Sequence, residues 1–105
     1  MSGHHHFQLR ELARLSARLD ELFAFCDRDA MSPDVADEVA ATAGEIMLLL
    51  AGHGGDEMVR GALDDARRLR EAARTLRPER ARLAEAGAAL TRDVERIIRE
   101  EKRAA

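Results

Sequence analysis

The 105-residue chain carries 17 Lys and Arg against 20 Asp and Glu, a formal charge of −3, and 46% of its residues are hydrophobic although only 3% are aromatic. That length suits one domain, and a core drawn from 20 alanines, the leucines and three phenylalanines is thin, so association with a second chain is the default expectation. The longest apolar run, residues 46–51, is far too short to span a bilayer, and a lone Cys26 excludes an internal disulfide, so membrane insertion is not expected and a cytoplasmic protein is.

Sixteen of the 17 basic residues are Arg, with Lys102 the exception, a composition that fits a GC-rich bacterial coding sequence. Charge is divided unevenly: residues 1–59 net −7 and residues 60–105 net +4. Residues 1–6, "MSGHHH", stand apart as a disordered or tag-like start, and residues 7–105 read as a single helical domain.

The first periodic segment places Leu12, Leu15, Leu19, Leu22 and Cys26 at spacings of 3, 4, 3 and 4, the seam of a heptad helix. Ser32 is then a plausible N-cap, with Pro33 at the first helical position and Asp34 and Asp37 near the positive end of the dipole. The second helix repeats the spacing with Ala36, Val39, Ala43, Ile46 and Leu50, and it turns apolar all round at "IMLLLA", which calls for enclosure by other helices or another chain. Gly52 stops it, and Asp56 and Glu57 open a third helix with the seam Val59, Ala62, Ala66, Leu69, Ala73 and Leu76. No strand-like alternation occurs, so the fold is expected to be all-α.

Pro78 poses the architectural question. A proline within a helix costs about 3 kcal/mol and biases the preceding residue away from helical angles. Against a break, the stripe Leu69, Leu76, Leu83, Leu90 and Ile97 keeps its phase across it, and no Gly, Asn, Asp or Ser lies between Ala66 and Glu79 to turn the chain. The expected architecture is therefore an antiparallel hairpin plus a long, Pro-kinked C-terminal heptad helix; the alternative is a closed four-helix bundle. The stripe has a small or polar edge, Ala66, Ala73, Arg80 and Gly87, with Val94 the exception, which suits close approach of another helix.

These features point to a non-enzymatic helical interaction module, an adaptor, chaperone-like protein or assembly subunit, which self-associates as a dimer through Leu69, Leu76, Leu83, Leu90 and Ile97. A protein partner is expected on the apolar surface near Phe23, Phe25, Leu48 and Leu49. Arg67, Arg70, Arg74 and Arg77 are candidates for contact with an acidic partner or with phosphate. A small nucleic-acid-associated regulator is the alternative function, and the absence of aromatics from residues 60–105 and the acidic whole argue against it.

Other motifs carry less. His4, His5, His6 and His53 could meet at one pole of a hairpin, yet they lie on a tail and a glycine turn without the fixed helical spacing of a strong metal site, so no metal or cofactor is expected. "GHGGD" lacks the spacing of a phosphate loop. Cys26 continues a seam and reads as a structural thiol, Met31 breaks the calcium-loop pattern begun by Asp27 and Asp29, and Asp64 and Asp65 lie in a helix with no sign of a pocket, leaving no catalytic candidate.

Overall fold

A computed structural model describes residues 8–24, 32–53, 55–75 and 79–104. These form four helices, α1 (Leu9–Ala24), α2 (Pro33–Leu50), α3 (Glu57–Ala73) and α4 (Arg80–Ala104), and no strand among the described residues, so the fold is all-α. Among the described residues, no helix is long and apolar enough to cross a membrane.

The punctuation follows side-chain chemistry. Ser32 has extended angles and its hydroxyl accepts from the Val35 N–H at 3.3 Å, with Pro33 occupying the first turn where a missing donor costs nothing. Gly52 ends α2 at φ +88°, a left-handed angle that a Cβ would oppose. The turn then closes through the His53 N–H to Leu50 O bond at 3.2 Å and the Asp56 N–H to His53 O bond at 3.1 Å. Asp56 caps α3 by accepting from the Met58 N–H at 2.9 Å.

α3 does not run on as one kinked helix with α4. Its last residue is Ala73, the next helix begins at Arg80, and the two pack against each other, which the halves of a continuous rod cannot do. The expectation of a long helix through the proline is corrected accordingly; Leu76, Arg77 and Pro78 themselves lie outside the described residues. The stop uses a threonine in place of Gly, Asn, Asp or Ser. The Thr75 hydroxyl donates to the Ala72 carbonyl at 3.0 Å, and the Arg74 N–H reaches Glu71 O at 3.2 Å, so the final turn satisfies carbonyls that would otherwise be orphaned.

Among the described residues each helix packs closely on two others, in the cyclic order α1, α2, α3, α4 and back to α1. Helices consecutive in the chain pack on each other, and the Arg18–Glu38 ion pair at 3.1 Å joins the C-terminal half of α1 to the N-terminal part of α2, so these two run antiparallel. The core runs down the middle of the ring from all four seams: Leu12, Leu15 and Leu19; Val39, Ile46 and Leu50; Val59 and Leu69; Leu83, Leu90, Val94 and Ile97. Each such side chain contributes on the order of 1.5–3 kcal/mol through burial, and closing the ring adds the α4 set to the core without a proline inside a helix. At 25 residues, α4 is about 37 Å long, so it outreaches the 17-residue α3 by about two turns within a molecule 47 Å in its longest dimension.

Candidate interaction groove

One helix pair leaves a trough. Ala40, Ala41 and Gly44 on α2 and Ala51 at its C-cap are small, so the outer face of the helix is low where it meets α3, and Met47, Leu48 and Leu63 wall an apolar hollow of about 760 Å³. Arg70 and Arg74 of α3 close one end beside Asp37, and Glu45 stands on the rim. Leu48 is 77% exposed and is the large hydrophobic residue that the described part of the chain leaves in solvent. A Cβ added at Gly44 would meet nothing within 4 Å, so the floor of the trough is open space. The all-round apolar end of α2 thus divides: Ile46 and Leu50 enter the core, Met47 and Leu49 are half-buried against it, and Leu48 points away.

The residues expected to form the interface stripe are elsewhere. Leu69, Leu83 and Leu90 are fully buried and Ile97 nearly so, covered by the chain's own helices, so as an association surface the stripe is corrected to intrachain core. Its small edge has the same role: Ala66, Ala73, Gly87 and Val94 are buried. Phe23 is half-buried, its ring lying over Gly87 so closely that a Cβ there would stand 2.4 Å from Cε2. Of the residues proposed for a partner surface, Leu48 alone is exposed among those described, while Leu76 and Phe25 lie outside the described residues.

The arginines separate into two groups. Arg67 reaches Asp64 at 3.6 Å and Arg68 reaches Asp65 at 3.8 Å, one turn back on the same helix, so their charge is partly answered locally. Arg70 and Arg74 line the groove, and among the described residues neither forms an ion pair. Arg77 lies outside the described residues.

A second, polar cleft of about 440 Å³ lies between α3 and α4, lined by Asp56, Glu57, Met58, Gly61, Asp93 and Arg96. Burial, then a hydrogen bond with Asp65 and that residue's charge, push the Asp93 carboxyl up to about 6, against the pull of Arg96 and Arg92. The two carboxyls come from different helices, 28 residues apart, a juxtaposition that no local spacing announces. Among the described residues no three His, Cys, Asp or Glu side chains gather in a group able to hold a metal ion. His53 is half-buried at the α2–α3 turn, and Cys26, His4, His5 and His6 lie outside the described residues.

No protein-family model matches the chain, and no curated protein or solved structure matches it either.

Proposed function

We propose that the chain is a non-enzymatic helical interaction module of the cytoplasm that docks another polypeptide helix in the groove between α2 and α3. The observation that carries this reading is Leu48, 77% exposed at the lip of a trough floored by alanines and a glycine. Exposed large apolar side chains beside an apolar concavity suit the helix-in-groove mode, in which a partner's apolar face fills the trough and its polar rim meets charges at the ends. Arg70 and Arg74 beside the trough suit an acidic group on the incoming helix.

The test is a photo-crosslinking residue at position 48, introduced into the chain in its source cell. A polypeptide adduct should form, and it should be lost when Gly44→Phe fills the trough. Crosslinking no stronger than from an exposed control position such as Arg82 would reject the reading. The alternative, a nucleic-acid-associated regulator, draws on the same two arginines; tight, salt-sensitive retention of a DNA duplex by the purified chain would favour it.

A further inference from the structure

We propose that the groove is covered by a second copy of this chain, whose α2 lies along α3 beside the trough and inserts Leu48 into it, in a dimer whose twofold axis runs parallel to the helices. This rests on the reading of the groove as a docking surface and goes on to name its occupant.

Charge placement selects the occupant and its orientation. α2 carries Asp34, Asp37, Glu38 and Glu45 and no basic residue, whereas the C-terminal part of α3 and its cap carry Arg67, Arg68, Arg70 and Arg74 against Glu71 alone. The two helices are antiparallel about a short turn, so Asp34 and Asp37 stand at the level of Arg70 and Arg74, and Leu48 stands toward the opposite end. Two copies can meet through this face about either of two in-plane axes. An axis across the helices would lay α2 on α2 with its levels reversed, bringing Glu38 of one copy toward Glu45 of the other and taking Arg70 and Arg74 away from the α2 carboxylates of the second copy. An axis along the helices lays α2 of each copy over α3 of the other with levels unchanged. The partner's Asp37 then faces Arg70 and Arg74, and the partner's Leu48 enters the trough on the Leu63 side. Both halves of such an interface are identical, as a twofold contact requires, and the small residues of α2 allow the close approach. The groove thus carries both partners of its own charge pairs, an acidic helix on one wall and a basic helix end on the other.

Sedimentation velocity on the full chain and two charge-reversed variants tests this. The unaltered chain should sediment as a dimer at tens of micromolar. Asp37→Arg alone, and Arg70→Glu with Arg74→Glu, should each weaken the dimer about tenfold or more, because like charges then face each other twice. An equimolar mixture of the two variants should recover it, since in the mixed dimer both contacts again join unlike charges. Circular dichroism reports whether each variant is folded; Leu48→Ser, at an exposed position, provides a dimer-breaking change that leaves the fold intact. Three results would overturn the proposal: a monomer at high micromolar concentration, no recovery on mixing, or a crosslink from position 48 to α2 of the second copy in place of α3. If the chain is monomeric but position 48 captures a different polypeptide, the second copy is rejected while the docking reading stands. If position 48 captures nothing, both fail.

Discussion

Gly87 and Phe23 show how much one missing side chain decides. The ring at the end of α1 occupies the space a Cβ on α4 would need, at 2.4 Å, so Gly87→Ala must expel the ring and forfeit part of its burial. Alanine would otherwise favour the helix by about 1 kcal/mol over glycine. We expect Gly87→Ala to lower stability by about 1 kcal/mol in the unaltered chain, yet to raise it by about 1 kcal/mol in a Phe23→Ala background, where the space is vacant. Urea melts of the four chains in that cycle check the change of sign. A second residue-scale test concerns Asp56, whose carboxylate accepts from the Met58 N–H at 2.9 Å. Asp56→Ala should cost about 1 kcal/mol, typical of a lost N-cap, with the loss read as a lower denaturation midpoint.

Between elements, the α3–α4 seam sets Asp93 of α4 beside Asp65 of α3. In the fold the Asp93 carboxyl sits at about 6, above its ordinary 3.8, so folding favours its protonated form. That contribution is complete below about 3.8 and is lost as pH rises through about 6, which makes the pair unfavourable at neutral pH. Asp93→Asn keeps the shape and a donor toward Asp65 while removing the charge. It should melt higher than the unaltered chain at pH 7, and the gap should close as pH falls from about 6 to about 4. Thermal melts across that window measure it; a gap independent of pH would show that Asp93 does not titrate there.

For the whole molecule, the closed ring assigns separate tasks to two leucines. Leu83 is fully buried, so Leu83→Ala should destabilise the chain by about 2–5 kcal/mol while the remaining folded protein associates as before. Leu48→Ser, at a residue 77% exposed, should leave the stability of the dissociated chain within about 0.5 kcal/mol of the original and abolish association. Thermal melts at low concentration paired with sedimentation at high concentration distinguish the two effects.

Sequence by itself determined α1, α2 and the start of α3, because a heptad seam, an N-cap serine before proline and a stopping glycine act over four or five residues and need no knowledge of the rest. Leu12, Val39, Ile46, Val59 and Leu69 were legible as inward-facing for that reason. Tertiary structure decided what those faces meet. A leucine every seventh residue reads the same whether Leu83 and Leu90 extend one rod or return on a second helix, and only the pairing of α4 with α1 and α3 turns them from an interface into a core. The groove escaped the sequence for the complementary reason: Leu48 belongs to an apolar run whose members look alike until two neighbouring helices cover some and not others. Burial is a property of the assembled helices, and seam periodicity states only which side of a helix is available for it.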